Sequence, residues 1–165
     1  MRPNKITVSI ARARELLSYD PLTGVLVWIS KNKFSHIKIG NVAVYEKDGY
    51  IYIKVDGHAY LAHRIIWGIV TGSWPKNLID HKDTDGTNNQ WTNLREATYS
   101  QNGANSRSKR NLPKGVYTMA SGRFCAIKVK NYRHNHLGSF DTPEEAHQAY
   151  LDAAVAAHGE FARSS

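Results

Sequence analysis

Three regimes of apolar and polar positions follow one another along the chain. From Thr7 to Leu17, the residues Ile10, Ala13, Leu16 and Leu17 recur at helical spacing and predict an amphipathic helix. It stops before Tyr19-Asp20-Pro21, because a proline disfavours the helical conformation of the residue ahead of it. Thr23-Gly24 turns into the apolar run Val25 to Trp28, a strand. From Gly49 to Val55, Tyr50, Tyr52 and Lys54 alternate with Ile51, Ile53 and Val55, the period of a half-buried strand. Asp56-Gly57 is a hairpin turn signal, and His58 to Leu61 is the returning strand. By their own pattern, residues 1–62 read as scaffold without a catalytic constellation.

The second regime begins at His63. His63 to Val70 predicts a helix that ends near Gly72 and Trp74-Pro75. A strand, Leu78 to His81, leads into a polar loop from Lys82 to Gln90, and Asn93 to Ala97 predicts a second strand. Thr98 then stands as N-cap of a short helix reaching Asn105. Residues 103–115 have linker composition. In the third regime, Val116-Tyr117, Phe124 to Lys130 and His134 to Phe140 predict three strands. Thr142-Pro143-Glu144-Glu145 is a capping box with proline at the first helical position. Ala146, Ala149, Tyr150, Ala153, Ala154 and Ala157 form one stripe, whose small side chains let that helix lie close on a sheet. Gly159 marks its end. The fold class expected is α+β, with a module over residues 1–106, a basic linker at 107–113, and a three-stranded antiparallel sheet packed on one helix over 114–165.

Composition narrows the function. The chain has 165 residues, with 22 Lys and Arg against 14 Asp and Glu, a formal charge of +8. A single cysteine, Cys125, excludes an internal disulfide framework and a cysteine-rich zinc module. No apolar run approaches the ~20 residues of a membrane span, and the N-terminus lacks the apolar core of a signal peptide. A soluble, cytoplasmic protein is expected, with no membrane partner. The charge is uneven. No Asp or Glu occurs between Ala97 and Phe140, whereas Arg107, Lys109, Arg110, Lys114, Arg123, Lys128, Lys130 and Arg133 do. Basic residues interleaved with Tyr117, Phe124 and Tyr132 have the electrostatic character of a polyanion binder. A solvated surface kept for solubility would show the same charge without needing a partner.

One stretch offers chemistry. Ile79-Asp80-His81 sets a carboxylate and an imidazole side by side, and Asn102 adds a neutral oxygen if the following helix folds back. Asp80 and Asn102 are hard oxygen donors suited to Mg²⁺ or Mn²⁺, and His81 could then act as a general base near neutral pH. Those are the parts that phosphodiester hydrolysis needs. Strand alternation, however, points neighbours to opposite faces, and an Asp–His pair is also a common structural arrangement. Asp83-Thr84-Asp85-Gly86 resembles part of a calcium loop, but the closing acid is missing at Thr92. His134 and His136 lie two apart on a strand, too few ligands for a metal site and better placed for DNA or solvent.

Several segments together resemble the HNH homing endonucleases of bacteriophages. They are Ala62-His63-Arg64, Gly72-Ser73-Trp74-Pro75, Ile79 to Asp83, Asn89, Trp91, Asn93-Leu94-Arg95, Ala97-Thr98 and Gln101-Asn102. Tyr19-Asp20-Pro21-x-x-Gly24 and Gly49-Tyr50 match the usual N-terminal part of that family. The C-terminal piece is similar to the APETALA-type, or ethylene-response-factor, DNA-binding domain. Its matching residues are Lys114-Gly115-Val116, Gly122-Arg123-Phe124, Leu137 to Phe140, Thr142, Glu144-Glu145-Ala146, Ala149-Tyr150 and His158 to Ala162.

The resemblance implies a ββα-metal (His-Me finger) core at about 63–106, holding one divalent cation, Mg²⁺ or Mn²⁺, at the scissile phosphate of double-stranded DNA. His81 matches the general base, Asp80 and Asn102 the metal ligands, and Asn93 the residue that braces the loop between the two strands. The implied protein is a monomeric phage nuclease without a small-molecule cofactor, acting in the host cytoplasm. Candidate DNA contacts are Arg123, Lys128, Lys130, Arg133, His134 and His136 on the C-terminal sheet, with Lys109, Arg110 and Lys114 on phosphates. Two departures stand out. The usual Asp-Asn-Arg-Trp segment reads Asn88-Asn89-Gln90-Trp91, and Phe124-Cys125-Ala126-Ile127 is one residue short of the family's strand. A bulge or register shift must then decide which face Lys128 and Val129 take. The rival reading is a DNA-binding regulator whose nuclease module is inactive.

Overall fold

Ser9 opens the first helix by accepting a hydrogen bond from the Arg12 backbone N–H (3.1 Å), so α1 begins at Ile10 and runs to Leu16. The structure, a computed structural model, describes residues 8–31, 38–106, 108, 111–130 and 133–162. Its elements fall into two compact units, Met1–Ala97 and Thr98–Ser165.

In the first unit, Leu17 is extended instead of helical and starts β1 (Leu17–Tyr19), which pairs with β2 (Leu26–Trp28). Residues 45–47 form a strand that the sequence pattern did not announce, β3 (Tyr45–Lys47). It borders β4 (Tyr50–Val55), which pairs in turn with β5 (His58–Leu61) through the expected Asp56-Gly57 turn. Without an intervening loop the chain enters α2 (Ala62–Thr71), which ends where Gly72 adopts φ +80°. Ile65 and Ile66 of α2 bury against Ile53, Val55, Leu16, Leu26 and Trp28 in one core. Gly68 is where α1 meets α2, because a Cβ there would collide with the Ile10 side chain. The hairpin of β6 (Leu78–His81) and β7 (Leu94–Ala97) completes the unit, in the register Asp80 opposite Arg95 and His81 opposite Leu94.

The second unit starts with α3 (Tyr99–Asn105), closed at its N-terminus by the Thr98–Gln101 capping box. Lys114 holds its C-terminal end by donating to the carbonyls of Gly103 (2.6 Å), Ala104 (2.7 Å) and Ser106 (2.8 Å). The compact units therefore part ahead of α3, earlier in the chain than the linker composition suggested. Strands β8 (Val116–Thr118), β9 (Phe124–Lys130) and β10 (Arg133–Phe140) form an antiparallel sheet with β9 central. The helix α4 (Pro143–His158) begins at the Thr142–Glu145 capping box and buries Ala146, Tyr150 and Ala154 with Val116 and Ala126. At Gly115 (φ +81°) the Tyr150 ring fills the space a side chain would need. Among the described residues, no helix is long and apolar enough to cross a membrane.

Candidate active site

The β6–β7 hairpin carries the two residues that the sequence set side by side, and the strand sends them to different partners. Asp80 is buried and forms an ion pair with Arg95 directly across the hairpin (Oδ2 to Nε, 2.9 Å). His81, 5% exposed, places Nε2 3.1 Å from Oδ1 of Asn89. Asn89 turns its Nδ2 toward the Thr87 carbonyl (3.5 Å). The His63 ring, on α2, lies edge-on to His81, with centroids 5.0 Å apart and planes at 77°.

The loop between the strands is braced from inside. Asn93 donates from Nδ2 to Asp83 Oδ1 (2.9 Å) and to the Asn88 carbonyl (2.8 Å), and its Oδ1 accepts from the Asp83 N–H (3.1 Å). Asp83 also accepts from Asn88 Nδ2 (2.7 Å) and from the Asp85 N–H (2.9 Å). Burial works to raise the Asp83 pKa, but these hydrogen bonds and the nearby His81 outweigh it and hold the carboxyl below its ordinary value. Asn88, where the resembling family has an acid, is a donor that Asp83 requires. A second carboxylate there would face the first.

The scaffold segments grip this loop from outside. Tyr19 donates its hydroxyl to the Asn89 carbonyl (2.8 Å), and burial, with Asp20 nearby, pushes its pKa up to about 12. The Trp91 N–H donates to the Pro21 carbonyl (3.1 Å). Gly24 (φ +77°) runs so close to Asn89 that a Cβ would sit 2.6 Å from its carbonyl carbon. On the other side Gly86 abuts the Gly49 carbonyl, and a Cβ on it would come within 2.7 Å of the Tyr50 ring. Thus residues read as scaffold fix the path of the loop that supplies the partner of His81. The sequence pattern left His63, Asn89 and Arg95 without roles, although all three lie in the segments that carry the resemblance.

Among the described residues, no group of three or more His, Cys, Asp or Glu side chains gathers so as to hold a metal. A centre around Asp80 would offer one carboxylate, with water for most of the remainder. That donor set suits Mg²⁺ or Mn²⁺, which keep several waters, and not zinc. Asn102, half-buried, lies on α3 in the second unit.

On the second unit's sheet the basic residues are dealt unequally between the faces. A bulge between His136 and Gly138 sets the register, pairing His134 with Val129, Asn135 with Lys128 and His136 with Ile127. His134, His136 and Val129 are exposed on the side away from α4. Lys128 corrects the sequence reading. It is 8% exposed and donates to the Ala153 carbonyl of α4 (2.6 Å), so it serves packing and leaves the set of candidate DNA contacts. Lys114 spends its ammonium on α3, and Arg123 pairs with Asp141 (2.7 Å), just past the acid-free stretch. Arg133 is exposed, and Lys130 pairs with it through the backbone. Lys109 and Arg110 lie outside the described residues.

Comparison with known proteins places the hairpin in a family segment. Residues 60–104 match the HNH endonuclease family. Over 102 residues, 61% of the chain, it is 36% identical to a protein of Acanthamoeba polyphaga mimivirus described as an uncharacterized HNH endonuclease. The match spans 54% of that relative's length. No solved structure matches the chain.

Proposed function

We propose that the chain is a metal-dependent endonuclease that hydrolyses phosphodiester bonds of double-stranded DNA, with His81 as general base. The observation that carries this reading is the bond from His81 Nε2 to Asn89. With Nε2 read as the donor in that bond, Nδ1 is the nitrogen that would take a proton from the water that attacks phosphorus. Asn89 is then the positioning residue of the base, and Asn93 and Asp83 hold the loop on which it stands. Asp80 is the candidate ligand for one Mg²⁺ or Mn²⁺, which when bound would neutralise charge developing at the phosphate. Arg95 holds the Asp80 carboxylate in place. Asn102 is proposed as a further ligand on the strength of the sequence resemblance alone. The exposed sheet face with His134 and His136, together with Arg133, is the proposed DNA contact. The same resemblance supports a homing-type nuclease of phage origin.

The deciding experiment compares single-turnover cleavage of a duplex panel by the full chain and by His81→Ala, with Mg²⁺, Mn²⁺ or chelator. Cleavage should require the metal and fall ~10²–10⁴-fold in the variant, while duplex affinity changes only a few fold. A folded His81→Ala protein that cuts at the wild-type rate removes this mechanism. Metal-independent DNA binding without any cleavage would instead support a binding regulator.

A further inference from the structure

We infer that the outer face of the β3–β4–β5 sheet is a track for an unpaired stretch of DNA strand, whose bases stack on its tyrosines beside His81 and whose backbone meets Lys47. The inference deepens the nuclease reading and rests on it for the role of His81. Cross-strand register pairs Tyr45 with Tyr52 and Lys47 with Tyr50. Strand alternation therefore gathers these side chains, with Lys54, on one side of the sheet. The other side is the core face, where Ile53 and Val55 are fully buried. The acids of this hairpin stand elsewhere: Glu46 is paired with Ile51, on the opposite side, and Asp48 lies in the turn.

The exposure of the rings points to a partner. Tyr45 and Tyr50 are 45% and 43% exposed. Tyr45 stands on an edge strand, where natural sheets favour charge over large rings. Its ring stacks on Tyr52, with centroids 5.8 Å apart and planes at 22°, instead of entering the core. Such a pair can extend its stack with another flat ring, and every base has a π-face to offer. In a paired duplex those faces are covered by neighbouring base pairs, so the partner that fits is a strand with unstacked bases. Position supplies the second argument. The Tyr50 ring lies 6.1 Å from that of His81, with the loop backbone at Gly86 packed against it. A strand laid over the tyrosines therefore reaches the candidate base, and Lys47, across from Tyr50, sets a positive charge beside its backbone.

The test uses the full chain in chelator, with a short labelled oligodeoxythymidine and a mixed-sequence duplex of equal length. Tyr45→Ala should lose about five- to hundredfold in affinity for the single strand, the scale of one lost base stack, and nothing on the duplex. Tyr45→Phe, which keeps the ring, should bind as wild type does. Lys47→Gln should make the log–log salt dependence on the single strand shallower by about 0.7, the share of one phosphate. In Mg²⁺, a mismatched stretch beside the cut should speed single-turnover cleavage by wild type and not by Tyr45→Ala. Should Tyr45→Ala fail to fold, Tyr45→Leu takes its place, since it fills the position without a π-face. Unchanged single-strand affinity in the folded Ala or Leu variant overturns the inference, as does a Phe variant as weak as either. An equal loss on the duplex also overturns it, by making the face a general backbone contact. So does a wild-type dimer that Tyr45→Ala abolishes, by making the face a self-contact. If wild type cuts paired duplex yet binds no oligodeoxythymidine, the inference fails and the nuclease reading stands. If it binds the strand through Tyr45 but cuts nothing, the nuclease reading fails and the strand site stands.

Discussion

The two units hold their ionisable groups in opposite ways. In the first, Asp80, His81 and Asp83 are tied to named partners inside or at the edge of the core: Arg95, Asn89, and the amides of Asn88 and Asn93. In the second, the net positive charge is split. Lys114 and Lys128 are consumed by backbone carbonyls, while Arg133, His134 and His136 remain exposed. The difference teaches that charge density along a chain does not map an interface. A lysine two residues from the next can belong to the core, and one buried imidazole held to a loop amide says more about chemistry than several surface cations.

The comparison can be broken most forcefully at the buried ion pair. Arg95→Ala strands the Asp80 carboxylate in a site where its side chain is 6% exposed. It should cost about 3–5 kcal/mol in denaturant unfolding, because the remaining charge is buried and uncompensated. The exposed pair Arg123–Asp141 provides the contrast, and Arg123→Ala should cost less than about 1 kcal/mol. Equal losses would show that the two units do not differ in this respect.

Acid should act through the first unit. The folded protein keeps His63 neutral down to about pH 3, whereas the unfolded chain takes up that proton near 6.5. Protons therefore favour the unfolded state, and stability contributed by His63 falls as pH is lowered through that window. The slope is up to about 1.4 kcal/mol per pH unit. His63→Phe should flatten it, as read from denaturation midpoints at several pH values. A smaller effect is expected at the loop. Asn88→Asp replaces a donor to Asp83 with a second carboxylate and should cost about 1–2 kcal/mol near neutral pH. Lowering the pH below the ordinary carboxylate value should relieve part of that cost, since one acid then protonates.

The smallest effects sharpen the second unit. Replacing Arg133 with Ala should make the log–log salt dependence of duplex binding shallower by about 0.9 if it contacts one phosphate. Lys128→Met should leave that slope unchanged, because its ammonium is committed to Ala153. A change in slope for Lys128→Met would return this residue to the interface.

Local rules written in the sequence determined much of the element order. The N-cap at Thr98, the capping box at Thr142, the strand over Leu78–His81 and the Asp56-Gly57 turn follow from backbone geometry and nearest neighbours, and all appear where the pattern put them. So does the opposition of Asp80 and His81, since alternation is a property of any strand. Partner choice was another matter. Asn89 meets His81 because Tyr19, Pro21 and Gly24 on one side, and Gly49 and Tyr50 on the other, dictate the path of the loop. Arg95 meets Asp80 through hairpin register, and Lys128 turns inward where the sheet, bulged in β10, packs on α4. These outcomes depend on contacts far apart in sequence and on single-residue register, to which composition and periodicity are blind.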